Sequence, residues 1–136
     1  YCGISSFDKS VWLDGIQWVS AVDYIGLNAI SIQVRPSTDS EHLMLNLFKA
    51  GEATEYQIYL GKNVTTLNIR YTSVNTSQLL VYIDGVLQTM VDLPPTGSDL
   101  QTWSNIETTL SIMEGKHTLK LEMYDGMLNM DSFKFQ

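Results

Sequence analysis

Residues 81–97 read VYIDGVLQTMVDLPPTG, residues 100–124 read LQTWSNIETTLSIMEGKHTLKLEMY, and residues 125–135 read DGMLNMDSFKF. Turn signals cut this half of the chain at Asp84-Gly85, at Pro94-Pro95-Thr96-Gly97 and at Glu114-Gly115. Between the cuts, apolar and polar residues alternate, and Val, Ile, Thr and Tyr are frequent. Ile106, Thr108, Leu110 and Ile112 fall on one side, and His117, Leu119, Leu121 and Met123 follow with the same period of two. Alternation at that period buries one face of a strand and wets the other. Short alternating segments with a turn every ten or so residues predict an antiparallel β-sandwich.

The segments upstream extend the pattern. Ile30, Ile32 and Val34 alternate up to Pro36, and Leu43, Leu45 and Leu47 alternate with Met44, Asn46 and Phe48. Tyr56, Ile58 and Leu60 lead to a Gly61-Lys62-Asn63 turn, followed by Leu67, Ile69 and Tyr71. Gln78–Ile83 is nearly continuously apolar, which predicts a central strand covered on both faces. No stretch keeps a helical period. The expectation is an all-β, jelly-roll-like sandwich of about eight to ten strands with two sheets face to face. Its core is predicted to include Ile32, Val34, Ile58, Ile69, Val81, Ile83, Trp103, Leu119, Leu121 and Phe133. Residues 1–19 read as an N-terminal extension or first strand and 20–136 as the sandwich. Trp12 and Trp18 offer either an exposed platform or a clamp holding the N-terminal segment to the sandwich, and the clamp is preferred.

Composition narrows the function. A chain of 136 residues with 44% hydrophobic and 17% charged residues is globular and long enough for one core. Fifteen acids against eight bases give a formal charge of −7. That balance argues against nucleic acid and anionic membranes, which need clustered Lys and Arg. It suits neutral sugars or cations. Cys2 is the only cysteine, so no disulfide forms within the chain. With no initiator Met or apolar leader, the chain reads as a domain from a longer, processed protein. Asn63-Val64-Thr65 and Asn75-Thr76-Ser77 fit the glycosylation sequon, a triplet common by chance.

One ordered set of short motifs is more specific. It comprises AVDY at 21–24, GEATEY at 51–56, Leu67-Asn68-Ile69-Arg70, Asp84-Gly85, Thr96-Gly97 with Trp103, Gly115-Lys116-His117-Thr118-Leu119, and Asn129-Met130-Asp131. In this order and at these spacings, across roughly residues 20–136, the set resembles carbohydrate-binding module family 6. The resemblance implies a galactose-binding-domain-like sandwich whose sugar site lies in the loops at one end. There, two aromatic rings grip a sugar and an Asn near the C-terminus bonds its hydroxyls. Apolar faces of a pyranose pack on rings, while amides and carboxylates read hydroxyls.

Carried onto this chain, the Asn falls on Asn129. One family ring falls on Leu100, and the other on Leu47 or, with a shift of one, on Phe48. A family acid becomes Arg35, and the Trp of a second, concave-face site becomes Ala53. The implied binding residues are Phe48, Glu52, Asp99, Leu100, Tyr124, Asp125 and Asn129, with Phe48 or Tyr124 as the stacking face. The resemblance also implies a structural calcium. Asp131 is the surviving ligand, while Ser20 and Val22 stand where the family tends to have Glu.

Each of these readings has a plainer counterpart. Asn129 is either a sugar-reading amide or a turn residue bonding its own backbone. Trp103 is read as core and His117 as structural, and neither His42 nor His117 has a partner at metal spacing. Glu52 with Glu55, or Asp125 with Asp131, would be the only conceivable glycosidase pairs, and no nucleophile, zinc or phosphate motif is present. The expectation is therefore a non-catalytic module. It would target a secreted parent, with its attached catalytic domain, to a polysaccharide or oligosaccharide. The alternative is an interaction domain that has lost sugar binding and packs on a neighbouring domain or a second copy.

Overall fold

The computed structural model describes residues 12–28, 33–36, 43–97 and 102–136. Along them run twelve strands: β1 (Leu13–Asp14), β2 (Val19–Ser20), β3 (Gly26–Asn28), β4 (Gln33–Pro36), β5 (Leu43–Lys49), β6 (Ala53–Leu60), β7 (Val64–Ser73), β8 (Ser77–Ile83), β9 (Val86–Leu93), β10 (Ser104–Ile112), β11 (Gly115–Asp125) and β12 (Met127–Phe135). No helix occurs among the described residues. The number exceeds the expected eight to ten because β1, β2 and β3, of two or three residues each, are too short to show a period.

Two six-stranded sheets form the sandwich. One has the order β1-β6-β11-β8-β9, with β3 also on β6; the other has β10-β7-β12-β5-β4, with β2 also on β12. All pairings are antiparallel except β1 on β6. Alternation does what the pattern asks. In β8, Ser77, Leu79, Val81 and Ile83 are buried, while Gln78, Leu80 and Tyr82 are half-buried. This strand is therefore covered fully on one face only and lies next to the edge, contrary to the expectation for a central strand. Its outward apolar pair misled the reading. Leu80 faces Met90 across the ladder, and the Lys120 ammonium sits 5.1 Å from the Tyr82 ring centroid.

The core holds Ile58, Ile69, Val81, Ile83, Leu119, Leu121 and Phe133, as predicted. Ile32 and the side chain of Val34 lie outside the described residues. Trp103 departs from the prediction, being only half-buried. Ser104 pairs with inward-facing Tyr71, so the two-residue period turns Trp103 outward, where the Arg70 guanidinium lies 5.0 Å from its ring centroid. At the centre, Tyr56 meets Phe133 edge-on at 4.8 Å, and Phe133 meets Phe135 at 6.2 Å. The fully buried Tyr56 hydroxyl donates to Ala21 O at 2.7 Å and accepts from Thr54 Oγ1 at 3.0 Å. Burial pushes this phenol's pKa upward, chiefly by desolvation.

The N-terminal segment is held by main chain and aliphatic side chains, and the half-buried Trp12 lies with the Lys116 ammonium of β11 5.3 Å from its ring centroid. Gly15 N donates to Tyr59 O, and Phe135 N donates to Gly15 O, both at 2.9 Å. A β-carbon on Gly15 would stand 2.7 Å from Leu60 Cδ2, so only glycine lets the chain approach this closely. Leu13 and Ile16 pack on the core, while Trp18 is 48% exposed. The preferred clamp reading of Trp18 is thus not what the structure contains. Ala21–Tyr24, the AVDY element, is turn and coil immediately after β2 rather than strand. His117 is structural, as expected: its ring nitrogens lie 2.6 Å from Asp84 Oδ2 and 2.7 Å from Met113 O, tying two turns together.

Candidate functional site

The strand order brings the β5–β6, β7–β8 and β11–β12 turns, each of which crosses from one sheet to the other, to one end of the sandwich, together with the segment that follows β9. Main-chain bonds weld them. Ala50 N donates to Gly126 O at 3.0 Å, and Gly51 N donates to Met123 O at 2.9 Å. Thr96 N donates to Ser73 O at 2.8 Å, and Ser73 N donates to Thr96 Oγ1 at 3.0 Å. Beneath them, the buried Ser73 and Ser77 hydroxyls lie 3.0 Å apart, and both reach Met127 O. Gly126, at φ +92°, rests on Ser77 so closely that an added β-carbon would stand 2.8 Å from Ser77 Cα. Without a side chain here, the two turns can share one floor.

The residues named from sequence divide as follows. Phe48 stands opposite Leu128 in the β5–β12 register, and its side chain lies outside the described residues. Asp99 and Leu100 also lie outside them, between Gly97 and Thr102, whose hydroxyl would stand 3.1 Å from a β-carbon on Gly97. Glu52 is buried, and its Oε1 accepts from Lys49 N at 3.0 Å, closing the β5–β6 turn. Tyr124, 61% exposed, and Asp125 stand at the β11–β12 turn, where Asp125 Oδ1 accepts from Gly126 N at 2.9 Å. The stretches 48–52 and 124–129 are thereby brought together.

Asn129 is only 2% exposed and pairs with Thr72 across the β12–β7 ladder. It is a strand residue, not a turn residue. Thr72 Oγ1 beside it is buried without a hydrogen-bond partner, and Trp103 precedes the position that pairs with Tyr71 in the same ladder. A buried hydroxyl left unpaired costs about 1–3 kcal/mol, which makes Thr72 an unusual feature of this ladder. Sequence reasoning missed Thr72, Ser73 and Ser77. Nothing in a run of Thr and Ser within alternating strands distinguishes a site floor from an ordinary wet face.

Asp131 occupies a bulge in β12, between Met130 opposite Tyr71 and Ser132 opposite Arg70. Its carbonyl accepts from Ala21 N at 2.9 Å, its Oδ2 accepts from Ser132 Oγ at 2.9 Å, and its buried Oδ1 has no partner. An orphaned carboxylate oxygen fits one hard ligand of a calcium ion. Among the described residues, no three His, Cys, Asp or Glu side chains gather around a common point.

A family model described as "Carbohydrate binding module (family 6)" matches residues 20–136. The chain belongs to this family. Among solved structures it is similar to a family 6 module from Clostridium stercorarium in complex with cellobiose, at 20% identity and a TM-score of 0.85 over 93% of this chain and 97% of that one. A β-1,3-glucan binding family 6 module from Bacillus halodurans has 16% identity and a TM-score of 0.84, covering 93% and 99%. A glycoside hydrolase family 43 arabinoxylan arabinofuranohydrolase from Bacillus subtilis, in complex with cellotetraose, matches 93% of this chain with 28% of its own, at 20% identity and a TM-score of 0.82. No curated protein matches the sequence. These likenesses bear out the sandwich architecture, and family 6 modules are non-catalytic binding domains.

Proposed function

We propose that this module binds a β-linked glycan at the loop end between the β5–β6 and β11–β12 turns and has no catalytic activity of its own. The observation carrying this reading is the buried Asn129 residue beside the unpartnered Thr72 hydroxyl, near two turns joined by the Ala50 N to Gly126 O bond. Asn129 and Thr72 would read sugar hydroxyls, and the exposed Tyr124 ring would supply the apolar face. A similar module solved in complex with cellobiose and another described as β-1,3-glucan binding support the ligand class. The match to part of a glycoside hydrolase supports a role in holding an attached catalytic domain near its polysaccharide in a secreted parent. A single small module of this kind binds weakly, roughly in the micromolar to millimolar range.

Affinity electrophoresis against plant, algal and fungal polysaccharides identifies the ligand, and calorimetry with Asn129→Ala then tests the site. Loss of the amide costs about 1–3 kcal/mol of binding. Unchanged affinity in Asn129→Ala places the site elsewhere. Asp131 Oδ1 would be the carboxylate ligand of a structural calcium. In that case calcium raises the unfolding midpoint and a chelator reverses the rise, whereas no shift refutes the ion. One observation favours the interaction reading instead: Val86, Leu87 and Met90 are exposed along the edge strand β9. Sedimentation of the chain alone tests it, since a strict monomer at high concentration disfavours self-pairing.

A further inference from the structure

The outward face of the β10-β7-β12 sheet carries, around Lys134 and Trp18, an arrangement that the loop-end site does not use. Register puts Glu107 opposite Asn68, Asn68 opposite Lys134, and Trp18 one step beyond the Val19–Phe133 pair, beside Lys134. Lys134 Nζ lies 5.9 Å from the Trp18 ring centroid. One strand over, Arg70 covers Trp103 at 5.0 Å. Two indoles, each with a cation over it, thus stand at opposite corners of a polar sheet face. By strand spacing and rise they are roughly 15–20 Å apart.

The charge of this face is unlike that of the whole molecule. The chain carries −7. Yet β2, β7, β10 and β12 together contain two cations, Arg70 and Lys134, against the exposed Glu107 and the buried Asp131. No ion pair joins Lys134 to a carboxylate among the described residues. Its ammonium pins one side of the indole, and Trp18 still leaves 48% of its surface to solvent. An exposed ring beside a cation offers an apolar platform and an anion contact within one sugar's reach. Trp18 also precedes the span matched by the family model, which begins at residue 20.

We propose that this face is a second glycan-binding surface, selective for polysaccharides bearing carboxylate or sulfate groups, with Trp18 as the stacking ring and Lys134 as the anion contact. It is separate from the loop-end site and does not depend on it. The two sources of negative charge are told apart by running native gels of the full chain with polygalacturonate, with dextran sulfate and with a neutral β-glucan. Retardation is expected in at least one acidic gel, and added salt weakens it. Lys134→Gln weakens it about two- to fivefold, the worth of one exposed ion contact. Trp18→Ala weakens it further, while Trp18→Phe keeps most of it. Asn129→Ala leaves acidic retardation intact, and Trp18→Ala leaves neutral-glucan binding intact, so failure of one site is distinguishable from failure of the other. No retardation by either acidic polymer overturns the proposal. So does retardation that survives both Lys134→Gln and Trp18→Ala, or that is lost in Asn129→Ala alone.

Discussion

Replacing Gly126 by Ala tests whether the loop end is held together as described. Two costs are readable at this position. The backbone sits at φ +92°, a region that an L side chain enters only at about 1–2 kcal/mol. The new methyl would also overlap Ser77, standing 2.8 Å from both its Cα and its Cβ. Because Cα is backbone, anchored in β8, the clash cannot be relieved by a rotamer change alone. Overpacking of this kind adds about 1–3 kcal/mol. Gly51 supplies the control: its φ of +88° is nearly the same, but nothing lies within 4 Å of its virtual β-carbon. Gly51→Ala is therefore expected to cost only the conformational part. Urea unfolding followed by tryptophan fluorescence should give Gly126→Ala a loss of about 2–5 kcal/mol, exceeding that of Gly51→Ala by about 1–3 kcal/mol. Equal losses in the two variants would refute the claim that close packing on Ser77 fixes the turns. A Gly126→Ala protein that still folds should also bind glycan more weakly than Gly51→Ala, because the clash lies directly beneath the proposed site.

Two further outcomes follow from buried and titrating groups. Tyr56→Phe removes a hydroxyl that satisfies Ala21 O and Thr54 Oγ1 in the core, and should cost about 1–3 kcal/mol in denaturant unfolding; a neutral result would mean that water replaces the phenol there. At Asp84, burial pushes the carboxyl pKa up, but the hydrogen bonds from His117 and the Thr118 amide outweigh it and hold the pKa below the usual carboxylate value of 3.8. A lowered folded-state pKa gives stability that is present above the unfolded value and lost as pH falls through the folded one. Asp84→Asn should thus be less stable than wild type at neutral pH, with the gap closing below about pH 4. The effect is small because the side chain is 52% exposed, and a gap independent of pH would contradict it.

Alternation was enough to find the long strands β5 to β8 and β10 to β12 and the core residues between Ile58 and Phe133, because a period of two fixes which face each residue takes once a sheet exists. The ordered turns and motifs were enough to identify the family. Local pattern could not decide what depends on the neighbouring strand. Trp103 looked like core by size and hydrophobicity, yet its pairing beside Tyr71 turns it outward under Arg70. Leu80 and Tyr82 looked like a second buried face, yet the order of the sheet leaves them half open. Asn129 was singled out as a candidate through the family motif alone. Its burial beside an unpaired Thr72 appears only when β12 lies against β7. Glu52, chosen from sequence as a sugar contact, accepts a bond from its own turn, since a carboxylate three residues from a free amide at a tight turn is drawn to it. The side chain of Trp18 is an ordinary aromatic in the linear sequence; register with Lys134 is what sets its ring beside a cation on an open face.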